Sequence, residues 1–171
     1  MADLREVKIA IGSDHRGFRL KEALKSFMEE RGIPYEDLGT HSEESFDYPD
    51  VAIPLAERVV RGDYDFGVLI CMTGIGMSIA ANKVKGVRAA LVYSPEFAEK
   101  ARAHNNANVL CLPGGHISVD AAQKALELFL TTEFEGGRHE RRLKKIESYE
   151  LSLIHISEPT RPLYISYAVF C

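Results

Sequence analysis

Short apolar runs alternate with longer amphipathic ones along most of the chain. "VKIAIGS" (residues 7–13) is a β-branched run closed by small residues and predicts a buried strand. Phe18, Leu20, Ala23, Leu24, Phe27 and Met28 then recur at helical spacing, and Gly32 stops the helix. "PYEDLG" predicts a weak second strand. "YPDVAIPLAERVVRG" predicts a helix with Val51, Leu55, Ala56 and Val59 on one side, which Pro54 either kinks or delays. "DFGVLIC" reads as the third strand and "GIGMSIAANKVKG" as its helix. "VRAALVY" is the fourth strand, and "SPEFAEKARAHN" is its helix, with Ser94 as cap and Pro95 in the first turn. "NVLCLPGG" is the fifth strand, and "SVDAAQKALELFLTTEF" and "RHERRLKKIESYE" close the pattern as helices.

This order predicts an α/β fold, a three-layer α/β/α sandwich with a Rossmann-like five-stranded parallel sheet and helices on both faces. In such sheets ligands bind beyond the carboxyl ends of the strands. That rule selects "SDHRGF", "CMTGIG", "SPEF" and "PGGH". The pattern assigns residues 1–150 to one domain. "LSLIHISEPTRPLYISYAVFC" (residues 151–171) has no clear helical or strand period and resembles a translated sequencing-library adapter. It is expected to be a non-native, adapter-derived read-through tail that is extended, poorly packed or weakly determined.

Composition acts here by exclusion. A net charge of −4 argues against a general nucleic-acid binder. No apolar run is long enough to span a bilayer, and "MADLREVK" lacks a signal-peptide core, so no membrane partner is expected. Cys71, Cys111 and Cys171 form neither a disulfide framework nor a paired metal motif. The expectation is a cytoplasmic protein without a metal.

Cys71 ends a strand just before a glycine-rich turn and a helix N-terminus. Such a position favours a thiolate able to accept a proton from carbon, with backbone N–H groups beside it for a developing oxyanion. A buried cysteine that packs as a small hydrophobe fits the same position. "GIGMSI" lacks the third glycine of a dinucleotide fingerprint and follows the third strand, so no cofactor is implied. Asp14 and His15 follow the first strand, where either a ligand contact or a helix cap fits. His104 and Asn105 precede the fifth strand, the wrong end for the same site unless a second subunit supplies them. Arg138 and Arg142 share a helix face and suit a phosphate, although a charge run is commonly just a solvated face.

Taken in order, "IGSDHRGFRLKE", "DYPDVA", "CMTGIGMSIAANK", "VRAAL", "AHNNANVLCLPG" and "FEGGRHERRLKKI" resemble the type B ribose-5-phosphate isomerase family, which includes galactose- and allose-phosphate isomerases. The resemblance implies aldose–ketose interconversion of ribose 5-phosphate and ribulose 5-phosphate through a cis-enediolate, without metal or cofactor. It implies that Cys71 is the base, that Thr73 and the turn Met72, Gly74, Ile75 and Gly76 stabilise the enediolate, and that His104 opens the sugar ring. It places Asp14, His15, Tyr48 and Asn105 on the sugar and Arg138 and Arg142 on the phosphate. It also implies a homodimer, or a dimer of dimers, with shared sites, which accounts for His104. The alternatives are an isomerase of a six-carbon aldose 6-phosphate and a non-catalytic phosphosugar-binding module. Two positions depart from the family pattern: Met72 stands where glycine is usual, and Gly115 where an arginine would add a phosphate contact.

Overall fold

Three strands with no polar alternation make the centre of the sheet. β1 (Ile9–Ser13) and β5 (Val109–Pro113) are buried along their whole length, as is β3 (Phe66–Cys71) beyond its first residue. Strands buried on both faces read as continuous apolar runs, which is why they were legible. The computed structural model describes residues 4–157, with side chains to residue 153. β2 (Tyr35–Asp37) and β4 (Ala89–Leu91) are shorter and form the edges. The order is β2-β1-β3-β5-β4, every pair parallel, with Ile9 opposite both Tyr35 and Phe66.

The helices divide between the two faces. Ile9, Ile11, Val68, Ile70, Leu110 and Leu112 pack with α1 (Phe18–Glu30), α4 (Pro95–Asn105) and α5 (Val119–Thr131). Ala10, Leu69, Cys71, Val109 and Cys111 pack with α2 (Pro49–Arg61) and α3 (Ile75–Ala81). The expected three-layer sandwich is therefore present. α2 runs through Pro54 and begins at Pro49, in the first turn, where no N–H partner is needed.

α6 (Arg138–Ser157) corrects one expectation. It runs seven residues past the expected end at Glu150, so the first part of the tail is helical rather than extended. Residues 151–157 contain no glycine or proline, and leucine is a strong helix former, so nothing there stops a helix already under way. Leu151 and Leu153 are exposed. Residues 158–171 lie outside the described residues.

A buried ion pair fixes the chain that leaves β2. Lys21 is fully buried, and its Nζ donates to both oxygens of Asp37 at 2.7 Å and to the Thr40 carbonyl at 2.6 Å. Gly39 and Thr40 then pair with Ser13 at the end of β1. Burial alone would raise the Asp37 carboxyl, but hydrogen bonds from Lys21, Lys25 and the Gly39 N–H hold it below its ordinary value. A carboxyl depressed on folding adds stability that is present above its unfolded pKa of about 3.9 and is lost as pH falls through the folded value. Lys21→Met is expected to destabilise the fold by about 3 kcal/mol, the low end for a broken buried pair, because Lys25 stays 2.9 Å from Asp37. Urea unfolding at pH 7 measures this, and the difference from the parent should shrink below pH 4.

Candidate active site

The connection after β1 leads to one edge of the sheet through β2, and the connection after β3 leads to the other through β4, so the topology switches between β1 and β3. A crevice opens beyond the carboxyl ends of such neighbours. Cys71 stands there at the end of β3, only 5% exposed. The Gly74 N–H donates to its Sγ at 3.2 Å. Gly74 has φ 72° and a Cβ there would lie 2.5 Å from Leu91, so the turn needs glycine on both counts. The Ile75 N–H donates to Thr73 Oγ1 at 3.3 Å, and the Tyr93 hydroxyl donates to the Thr73 carbonyl at 2.8 Å. Tyr93 was not foreseen from sequence, because its contact depends on β4 lying beside this turn.

Two further loops meet the turn. Asp14 is buried and its Oδ1 accepts from the Arg16 and Gly17 N–H groups, both at 2.9 Å, so it closes a turn ahead of α1 instead of capping the helix as expected, the N-cap being Gly17. Its own N–H donates to the Ile70 carbonyl, which fixes it beside the end of β3. His15 Nδ1 accepts from the Phe46 N–H at 3.2 Å. Two residues on, Tyr48 lays its ring over Gly76: a Cβ on Gly76 would sit 2.9 Å from Tyr48 Cζ. Asp14, His15, Tyr48, Cys71, Thr73 and residues 74–76 thus form one group.

Met72 and Gly115 meet beside it. A Cβ on Gly115 would lie 2.3 Å from Met72 Sδ. The Met72 side chain therefore occupies the space where a side chain at residue 115, the position of the family's arginine, would begin.

The remaining residues form a second group at the other end of the molecule. His104 and Asn105 end α4, and Arg138 begins α6. The rings of His104 and His139 stack with centroids 4.3 Å apart and planes 1° from parallel. Glu135 faces both, at 3.8 Å from His104 Nε2 and 3.6 Å from His139 Nε2. Arg138 Nε donates to His139 Nε2 at 3.3 Å. Burial, then the neighbouring His104 and Arg138, lower the His139 pKa from its ordinary 6.5, so this imidazole is neutral at pH 7. His104, Glu135 and His139 offer three ligand atoms within 4.8 Å of one another. Their parallel rings do not converge on a common point, and His139 Nε2 already accepts from Arg138, so this arrangement suits hydrogen bonding better than a cation. Glu135 and His139 were missed in the sequence, where they vanish into a charged run.

β5 is five residues long, so at about 3.3 Å per residue the two ends of the sheet lie about 15 Å apart. Within one chain His104 does not reach Cys71.

The chain matches the Ribose/Galactose Isomerase family model over residues 9–146. It is 48% identical over 145 residues to a putative sugar phosphate isomerase of Bacillus subtilis, covering 84% of this chain and 97% of that one. It superposes with TM-score 0.82 on a ribose 5-phosphate isomerase from Thermotoga maritima, at 52% identity over 84% of this chain and 99% of that one. A Mycoplasma genitalium ribose-5-phosphate isomerase B, solved with bound ribulose 5-phosphate, gives TM-score 0.81 at 44% identity over 85% and 97% of the two chains. With fold, length and ordered loops in agreement, the chain belongs to the ribose/galactose isomerase family.

Proposed function

We infer that the protein is an aldose–ketose isomerase interconverting ribose 5-phosphate and ribulose 5-phosphate. The observation that carries this reading is Cys71 Sγ held by the Gly74 N–H at the switch point of the sheet, in a chain of this family. In the open-chain aldose, the Cys71 thiolate takes the proton from C2. The C2–H electron pair becomes the C1–C2 double bond, and the carbonyl pair moves to O1, giving the enediolate. Return of that proton to C1, with transfer of the O2 proton to O1 as the C2–O2 carbonyl forms, yields the ketose and restores the thiolate. Thr73 and the turn 72–76 stabilise the enediolate charge, while Asp14, His15 and Tyr48, together with Asn105 of a second copy, hold the hydroxyls. The scheme needs no metal, and its setting is the cytoplasm.

A second copy of the chain completes the site, as a dimer or a dimer of dimers. That copy brings His104 as the acid that opens the furanose, and Arg138 and Arg142 as the phosphate clamp. The two-ended placement of these residues supports this. So does the α6 face that carries exposed Ile146 and Tyr149 beside a cavity of about 450 Å³ lined by Ala89, Ala90 and Leu143.

The test is ketose formation from ribose 5-phosphate, allose 6-phosphate and galactose 6-phosphate, with and without a chelator. Ribose 5-phosphate should give the highest kcat/KM, and the chelator should change nothing. Faster turnover of a hexose phosphate would move the assignment to the six-carbon substrate. Tight binding without turnover would make the protein a phosphosugar sensor.

We also propose that the working domain ends at residue 150 and that the remaining segment is a non-native addition. The family match ends at residue 146, and Glu150, which accepts from the Gly86 N–H, is the last among the described residues with a hydrogen bond to the sheet domain. Truncation after Glu150 is expected to change unfolding free energy by no more than about 0.5 kcal/mol and to leave turnover unaltered. A larger loss in urea unfolding would assign residues 151–157 to the domain.

A further inference from the structure

The residue after the base and the glycine after β5 compete for one space. The Gly114 N–H donates to the Cys71 carbonyl at 2.8 Å and the Gly115 N–H to the Met72 carbonyl at 3.0 Å, so the two turns are clipped together. A Cβ on Gly115 would fall 2.3 Å from Met72 Sδ and 2.4 Å from its Cε, closer than non-bonded carbon approaches either atom. Gly115 is not among the residues with positive φ, so its backbone would accept any side chain. The thioether end of Met72 would have to swing aside for one, and the Met72 carbonyl would remain 3.2 Å from the new Cβ. Met72 is half-buried and directly follows Cys71 in the chain, so the space it shares with Gly115 adjoins the base.

We propose that Met72 and Gly115 act as one specificity-determining wall, in which the thioether fills the volume of a residue-115 side chain and limits the length of the sugar phosphate that reaches Cys71. This rests on the reading of the site as a sugar-phosphate site. A six-carbon aldose phosphate carries one more hydroxymethylene than a five-carbon one. Against this wall the extra hydroxyl meets CH2–S–CH3, which offers no donor and only a weak acceptor. A hydroxyl desolvated without a partner is penalised, and so longer substrates are disfavoured.

The test uses Met72→Ala, Gly115→Met and the double variant, which rebuilds the wall from the opposite side. Met72→Ala keeps the backbone N–H. It should shift the ratio of kcat/KM for ribose 5-phosphate over allose 6-phosphate toward the hexose by about 10-fold or more. Gly115→Met alone should lower both the thermal midpoint and kcat/KM, because two thioethers then share one slot. The double variant should recover the midpoint and the parent's selectivity. Simple additivity of the two substitutions in midpoint and in kcat/KM would overturn the proposal, as would an unchanged substrate ratio in Met72→Ala. If the parent turns over no sugar phosphate, the isomerase reading fails. The coupling in midpoint, and the ratio of binding constants for the two phosphates, still decide the wall.

Discussion

Replacing Cys71 by alanine is expected to lower kcat by at least about 10³-fold, toward the upper end of what a positioned general base contributes. The same sulfur is asked to take the proton from C2 and return it to C1, so no step of the reaction escapes the loss. Solvent exchange of the C2 proton, followed by NMR in D₂O, should disappear with turnover. Binding of ribose 5-phosphate should remain within a few-fold, because the hydroxyl and phosphate contacts come from other residues. The fold tolerates the change: Cys71 sits in the α2/α3 half of the core, and only one sulfur is removed. Near-parent exchange in this variant would return Cys71 to the role of core filler. Loss of binding along with turnover would mean that the thiol holds the substrate rather than working on it.

The sheet was legible because its central strands carry no polar alternation, and its carboxyl-end rule pointed to Asp14, His15 and Cys71 before any coordinate did. Edges were read less well. "VRAALVY" shrinks to Ala89–Leu91, because an edge strand keeps only the residues that pair with β5. What the sequence hid depends on distances between elements far apart in the chain. The His104–His139 stack requires the segment before α6 to fold back on α4, which the Glu135 N–H fixes by donating to the Ala103 carbonyl. The Met72–Gly115 contact requires the β3 and β5 turns to be neighbours. Both substitutions were visible as departures from a pattern, but only their shared space relates them. The end of α6 was misread for a local reason. Helix propensity follows from the residues alone, and "LSLIHIS" continues a helix whatever its origin.

Mixing two inactive variants is expected to restore activity. In the proposed two-fold symmetric dimer, each site would pair Cys71 from one chain with His104 from the other. A dimer of one Cys71→Ala chain and one His104→Asn chain places both lesions in one site and leaves the second site intact. With free exchange of equal amounts, half the dimers are mixed and each has one working site of two, so activity should reach about one quarter of the parent's. The His104→Asn homodimer should be impaired on cyclic ribose 5-phosphate far more than on a substrate supplied in its open-chain form, since only ring opening needs the acid. The geometry makes this a demanding test. With about 15 Å of sheet between its two ends, a single chain has no means of bringing these side chains together. Subunit exchange is verified by mass-tagged chains. Exchange without recovered activity would show that His104 takes no part in a shared site, and the stacked pair with His139 would then be a structural contact between α4 and the start of α6.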